Sequence, residues 1–107
     1  MGGDTPQSVV QVGDLRIDRV RMQVTVHGRE IRLTRQEFEL LWAFASEVGR
    51  AFTRQELVER AWGPRLFVDP RTVDVHIARL RRKLKADSAN LRFIETVWGI
   101  GYRFRYP

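Results

Sequence analysis

Apolar and polar residues alternate along the first third of the chain. Between residues 9 and 33 the pattern is typical of strands that bury one face. Its short β-branched runs lie at residues 15–17, 23–26 and 29–33. His27 and Gly28 separate the last two runs and predict a two-residue hairpin turn, because glycine tolerates a positive φ. We therefore expect strands joined by tight turns in this part of the chain.

The apolar period then changes to that of a helix, twice. The four letters TRQE occur at residues 34–37 and again at residues 53–56, and each set has the form of a capping box. Apolar residues follow each box at helical spacing: Phe38, Leu41, Trp42, Ala45 and Val48 in the first helix, and Leu57, Val58, Ala61 and Trp62 in the second. Gly49 and the Gly63-Pro64 pair are predicted to end these helices. No similarity extends beyond TRQE, so we interpret the repeat as two uses of one capping device.

A third helix is predicted for residues 70–85, with Asp69 as its cap and Pro70 at its first position. In a helical projection at about 100° per residue, one narrow stripe is wholly apolar and must face the core. It consists of Val73, Ile77, Leu80 and Leu84.

The chain ends in a predicted hairpin over residues 91–106, after a polar turn at 86–90. Its own turn falls at residues 98–101, where two of the four residues are glycine. Arg103 and Arg105 alternate with aromatic residues, so one hairpin face is expected to be basic while the other packs.

Charge changes the interpretation of the third helix. Residues 71–85 hold six Lys or Arg and one Asp, which is +5 of the formal net charge of +6. A basic helix in an otherwise nearly neutral chain is typical of a DNA-reading helix. The projection places Arg71, Thr72, Val75, Arg79 and Arg82 opposite the core, flanked by His76 and Lys83 on one side and by Arg81 on the other. Val75 suits a thymine methyl group, while Asp74 is expected to pair with a nearby arginine.

Composition excludes several other classes of protein. The 107 residues suit one domain, which we place at residues 9–107 behind a disordered lead at 1–8. There is no cysteine and no membrane-length apolar run, which is consistent with a cytoplasmic protein. Two distant histidines and scattered carboxylates form no catalytic or metal constellation, so we expect no enzyme, cofactor or metal. The aromatic residues follow core periodicity, which argues against RNA binding.

Four segments together resemble the winged-helix effector domain of OmpR/PhoB-type bacterial response regulators. They are LTRQEFELL (33–41), FTRQELVERAW (52–62), RTVDVHIARLRRKL (71–84) and ETVWGIGYRF (95–104). The resemblance covers about residues 15–106. It implies an α+β fold, a winged helix-turn-helix with an N-terminal four-stranded antiparallel sheet, three helices and a C-terminal hairpin wing.

The resemblance also implies sequence-specific binding to double-stranded promoter DNA, with helix 70–85 in the major groove and hairpin 91–106 as the wing. The implied or projected contacts are Arg71, Thr72, Val75, His76, Arg79, Arg81 and Arg82 on the helix, and Thr96, Trp98 and Arg103 in the wing. The projection favours Arg82 as the outward-facing residue, whereas the family pattern favours Arg81. Both are expected to reach phosphate, and for base contact we follow the family pattern, because the tilt of a helix in the groove is not visible in a projection. Trp98 stands where some members have an arginine, and it cannot supply a cation to a narrow minor groove.

The connector 63–70 corresponds to a family loop that often touches RNA polymerase, and Arg65, Leu66 and Phe67 are its candidate contacts. Alternatively, Leu66 and Phe67 fold back onto the core. Family members carry a receiver domain that a sensor kinase phosphorylates, and we expect this chain to be an excised effector domain. We expect a cytoplasmic, nucleoid-associated protein that is a monomer alone and a head-to-tail pair on direct repeats. A competing hypothesis is a winged helix that holds an acidic protein partner.

Overall fold

A computed structural model of the chain describes residues 8–87 and 93–105. Within these ranges the chain forms seven strands and three helices. In chain order they are β1 (Val9–Val12), β2 (Leu15–Asp18), β3 (Gln23–Val26), β4 (Arg29–Ile31), α1 (Arg35–Ser46), β5 (Ala51–Thr53), α2 (Arg54–Trp62), α3 (Arg71–Asp87), β6 (Ile94–Val97) and β7 (Gly101–Phe104). Except for Ser8, the predicted disordered lead lies outside the described residues. No helix within the described ranges is long and apolar enough to cross a membrane.

Strands β1 to β4 form an antiparallel sheet in sequence order, which confirms the predicted N-terminal sheet. The register pairs Val26 with Arg29 and leaves His27 and Gly28 as a two-residue turn. Both turn residues have positive φ, 53° and 78°, as a type I′ hairpin requires. The inward-facing residues of this sheet pack in the core against α1.

Both predicted capping boxes are present, at Thr34 before α1 and at Thr53 before α2. The predicted end of α1 was wrong, because the helix ends at Ser46 with Glu47 as its cap, and Gly49 lies beyond it. Val48 consequently leaves the core face and is half exposed. Helix α2 ends at Gly63, as predicted.

The predicted core stripe of α3 is confirmed, since Val73, Ile77, Leu80 and Leu84 are all buried. The helix begins at Arg71 and continues to Asp87. Pro70 therefore precedes the helix and is not its first residue as predicted, and the predicted polar turn does not begin at Ala86. The remainder of that turn, residues 88–90, lies outside the described residues. Because α3 packs against both α1 and α2, its opposite face is the one turned to solvent.

The second sheet has the order β5-β7-β6, and the sequence did not predict β5. This strand pairs Phe52 with Tyr102 and Thr53 with Gly101. A Cβ built on Gly101 would lie 2.1 Å from the carbonyl oxygen of Phe52, so only glycine fits at this crossing. Because Thr53 is also the cap of α2, the hairpin base is joined directly to the helix pair.

The terminal hairpin is confirmed, with bounds that differ from those predicted. Its loop is Trp98–Gly99–Ile100, and Gly101 already pairs with Val97 as the first residue of β7. Tyr102 and Phe104 are buried while Arg103 and Arg105 point away from the core, so one face packs as expected. Residues 91, 92 and 106 of the predicted hairpin lie outside the described residues.

Candidate nucleic-acid interface

One stripe of α3 is exposed along its whole length, and we call Arg71, Val75, Arg79 and Arg82 the outer stripe. All four residues are exposed, and their spacing of four, four and three places them on one face of the helix. They extend over about 16 Å of helix axis. Half of the Val75 surface is accessible, although arginines surround it. The outer stripe is therefore a cationic surface with one apolar point, as the projection predicted, except that Thr72 is half-buried and lies beside the stripe.

Arg79 and Arg82 make no hydrogen bond or ion pair within residues 8–87 and 93–105. None of the five N–H donors of either guanidinium therefore has a hydrogen-bond partner in the described part of the chain. Arginine donors arranged in this way suit guanine edges and phosphate oxygens equally well. These two side chains hold the uncompensated charge of the outer stripe.

Arg71, by contrast, is held by Asp69 at the start of the helix. Its Nη2 donates to Asp69 Oδ2 at 2.9 Å and its Nε donates to the same oxygen at 3.2 Å. Asp69 Oδ1 accepts from the backbone amide of Arg71 at 2.9 Å, which is the kind of hydrogen bond that the prediction of Asp69 as a cap requires, although Pro70 stands between Asp69 and the first helical residue. The side-chain and backbone hydrogen bonds from Arg71 lower the pKa of Asp69, so the carboxylate stays ionised.

Arg81 does not belong to the outer stripe, because it turns toward the wing. Its Nε donates to the carbonyl oxygen of Ile94 at 3.1 Å and its Nη2 donates to Thr96 Oγ1 at 3.0 Å. Its guanidinium also lies 5.2 Å from the ring centroid of Tyr102. Arg81 and Thr96 thus join α3 to the hairpin, and Arg82 takes the outward position. A DNA contact by Arg81 stays a prediction.

Asp74 pairs with an arginine, as predicted, and the partner comes from α2. Arg54 Nε donates to Asp74 Oδ1 at 2.8 Å, and the Tyr102 hydroxyl donates to the same oxygen at 2.6 Å. Burial raises the pKa of Asp74, but the hydrogen bonds from Tyr102 and Arg54 lower it by more, so the net shift of this pKa is downward. Burial of the Tyr102 hydroxyl and its hydrogen bond to Asp74 raise the pKa of Tyr102. The one acidic residue in the first turns of α3 is thus neutralised locally.

Thr72 and His76 lie beside the outer stripe and are partly buried. Nδ1 of His76 is 3.0 Å from the carbonyl oxygen of Thr72, one turn earlier. The imidazole also meets the Trp62 ring edge-on, with 4.9 Å between centroids. His76 therefore packs α3 against the end of α2 and leaves only part of its ring accessible.

The wing tip is apolar and the wing strands are charge-paired. Trp98 is 88% exposed and Ile100 about half exposed. Arg103 Nε bonds Glu95 Oε1, while Arg105 Nη1 lies 3.4 Å from Glu95 Oε2, and the bond from Arg103 is the main cause that lowers the pKa of Glu95. The basic face predicted for this hairpin is therefore partly neutralised by a glutamate that the sequence analysis did not single out.

The connector between α2 and α3 projects into solvent. Phe67 is 97% exposed and Leu66 is 58% exposed, and Arg65 is exposed beside them. This excludes the alternative in which the two apolar side chains fold back onto the core. Within the part of the chain that the structure describes, no three His, Cys, Asp or Glu residues are grouped to hold a metal.

A supporting helix, a connector, a basic helix with an exposed outer stripe, and a hairpin fixed beside it together define a winged helix-turn-helix domain. This class of domain serves transcription regulators. The family model for "Transcriptional regulatory protein, C terminal" matches residues 28–104. The chain belongs to this family, and its relatives place it with response regulators of the OmpR/PhoB type.

Three relatives illustrate the match. The response regulator SaeR of Staphylococcus aureus is 39% identical over 99 residues, which are 92% of this chain and 43% of SaeR. The response regulator DrrB, an OmpR/PhoB homolog of Thermotoga maritima, is 38% identical with a TM-score of 0.78, over 92% of this chain and 44% of DrrB. The RstA DNA-binding domain of Klebsiella pneumoniae, solved in complex with the RstA box, is 34% identical with a TM-score of 0.77, over 91% and 96% of the two chains. The chain thus spans less than half the length of SaeR and of DrrB.

Proposed function

We propose that the chain is the sequence-specific DNA-binding effector domain of a two-component transcriptional response regulator. The outer stripe is the observation that carries this proposal. A stripe of three arginines around an exposed valine suits the major groove, where arginine reads guanine and an apolar group meets the thymine methyl. A purely electrostatic surface for an acidic protein would not need Val75. The RstA domain, which shares this fold, was solved on its DNA box.

In this proposal the residues of the interface contact different parts of the DNA. Arg79 and Val75 read bases, and Arg82 holds phosphate. Arg81 and Thr96, which are hydrogen-bonded to each other, hold the wing next to the sugar-phosphate backbone of the DNA. Trp98 approaches the minor groove. The full proposed set is Arg71, Thr72, Val75, His76, Arg79, Arg81, Arg82, Thr96, Trp98 and Arg103.

The partners follow from the same assignment. We infer two copies bound head-to-tail on direct repeats, each copy a monomer when free of DNA. We also infer that the connector residues Arg65, Leu66 and Phe67 contact RNA polymerase. The exposure of two large apolar side chains there supports a protein contact. A receiver domain on the same chain, phosphorylated by a sensor kinase, would occupy the length by which SaeR exceeds this chain. Its place of action would be the bacterial nucleoid.

The test is selection of bound sites from a random-sequence duplex library, followed by affinity measurement at several salt concentrations. We expect two direct repeats about 10–11 bp apart, and affinity that falls steeply with salt because counterions are released. Arg79→Ala should cost about 1–3 kcal/mol and relax the preference at one position. Arg82→Ala is the matched control, and should weaken all sequences alike.

Binding without an enriched sequence would reduce the proposal to a phosphate-holding domain. No retention of DNA, or a flat response to salt, would contradict the proposal and favour an acidic protein partner.

A further inference from the structure

Arg71 differs from Arg79 and Arg82, the other two arginines of the outer stripe, because it is paired with a carboxylate, that of Asp69. The Arg71 side chain is 86% exposed, yet both oxygens of Asp69 lie within 3.4 Å of its donors. The carboxylate is itself anchored, since Oδ1 accepts from the Arg71 amide and the Asp69 carbonyl accepts from the Thr72 amide at 2.8 Å. An exposed arginine is thus fixed to the first turn of the reading helix.

Pro70 adds to this fixation. Its ring fixes φ between Asp69 and Arg71, and its carbonyl accepts from the Val73 amide at 3.1 Å. The backbones of the two charged residues are therefore held in a defined relation to each other and to the helix axis, and the ion pair links their side chains. Arg79 and Arg82 have no such partner within the described ranges and must lose their side-chain freedom when they bind.

The pair leaves one edge of the guanidinium open. Of its five N–H donors, Asp69 engages the Nε–H and one N–H of Nη2. The two parallel donors on the far edge, one from Nη1 and one from Nη2, have no hydrogen-bond partner among residues 8–87 and 93–105. That edge matches the O6 and N7 acceptors of guanine, which lie side by side in the major groove.

We infer that Asp69 is a positioning residue that presents Arg71 to a guanine in the major groove. This inference rests on the proposed function and deepens it by naming one base and the two residues that read it. The first residues of a reading helix are those that contact base edges. Asp69 also offsets the charge of Arg71, which weakens its attraction to phosphate and favours the neutral base edge.

The experiment measures affinity for the selected site and for its single-base variants, with four proteins: wild type, Asp69→Asn, Arg71→Ala and the double variant. Asparagine caps a helix as well as aspartate does, so the fold and helix start should be retained. Arg71→Ala should reduce the preference for one guanine about tenfold or more. Asp69→Asn should reduce the same preference about tenfold, while binding to unrelated DNA tightens and the salt slope steepens by about one phosphate contact.

The double variant tests whether Asp69 acts through Arg71. Its base preferences should equal those of Arg71→Ala alone, since Asp69 would have nothing left to position. Glu30→Gln is the matched control, because it removes one exposed carboxylate that takes no part in the Arg71–Asp69 pair. It should leave every base preference unchanged.

Two results would overturn the inference while the proposed function stands. One is an Arg71→Ala protein that keeps the full preference at every position. The other is an Asp69→Asn protein that binds all sequences more tightly by the same factor. Asp69 would then only offset the positive charge of Arg71 and would not position it. A wild-type protein that selects no sequence would overturn the proposed function itself.

Discussion

The two capping boxes have the same four residues and nearly the same local geometry, but opposite surroundings. In each, the threonine hydroxyl accepts from the amide of the glutamate, and a glutamate oxygen accepts from the amide of the threonine, at 2.9 Å in the first box and 2.8 Å in the second. Glu37 is fully buried, whereas the Glu56 side chain is 40% exposed. Local sequence therefore determines the cap, and position in the fold determines what else the cap does.

The difference lies in the third partner of each glutamate. Lys83 reaches from α3 to Glu37 Oε1 at 2.6 Å, and Glu37 Oε2 is buried with no hydrogen-bond partner among the residues that the structure describes. Glu56 Oε2 instead accepts from Arg50 at the surface, at 3.0 Å. The first box thus ties α1 to the reading helix through a buried ion pair, while the second stays local.

The largest effect is expected from Lys83→Met. This change leaves a buried carboxylate without its counter-charge, and breaking a buried pair costs about 3–5 kcal/mol. Lys83 itself is 37% exposed, so we expect the lower end, about 3 kcal/mol, measured by urea unfolding at neutral pH. Lys85→Met, an exposed position on the same helix, should change stability by less than about 0.5 kcal/mol. Equal losses for the two variants would show that the buried pair contributes nothing special.

The next largest effect concerns how the stability contributed by each of the two glutamates depends on pH. Burial raises the pKa of Glu37, but the hydrogen bond and charge of Lys83 lower it below its usual 4.5. The pKa of Glu56 is lowered chiefly by the Thr53 amide. Since both folded values lie below the unfolded ones, each contribution is present at neutral pH and is lost as the pH falls through the acid range.

We therefore expect Glu37→Gln to lose about 2 kcal/mol at neutral pH, and Glu56→Gln less than about 1 kcal/mol because solvent screens its ion pair. Urea unfolding between neutral pH and about pH 3 should show a flatter acid limb for Glu37→Gln than for wild type. If both variants flatten that limb equally, burial of Glu37 adds nothing to the pH dependence.

The smallest expected difference is between the two threonines. Thr34→Ala and Thr53→Ala each remove one cap hydrogen bond and should each cost about 1 kcal/mol. The two losses should agree, because both hydroxyls accept from a glutamate amide, at 3.2 and 3.1 Å. A clearly larger loss for Thr34→Ala would mean that the first box depends on its buried surroundings even in its local hydrogen bond.

The sequence predicted whatever depends on neighbours along the chain. The two boxes, the core stripe of α3 and the turn at His27 and Gly28 all follow from local spacing, and all are confirmed. Strand β5 was missed because it has three residues, and its partner β7 lies far along the chain. No local pattern indicates such a pairing.

The candidate site was predicted only in part, because some of its contacts join residues that are distant along the chain. The outward position of Val75 follows from helical periodicity, and the pairing of Asp74 with an arginine from charge alone. Arg81 was placed near the groove, but its bonds to Ile94 and Thr96 depend on how the hairpin packs. No pattern in the sequence indicates the role of Glu95, because only the folded hairpin brings it beside Arg103.

Gly101 has a consequence for protein engineering. The hairpin is fixed at its base, where the close approach of Gly101 to Phe52 tolerates no side chain, and Thr53 continues directly into the helix pair. The loop Trp98–Gly99–Ile100 beyond that base is exposed throughout. The tip is therefore a replaceable module: loops of other charge or length can be grafted onto residues 98–100 while the reading helix keeps its place.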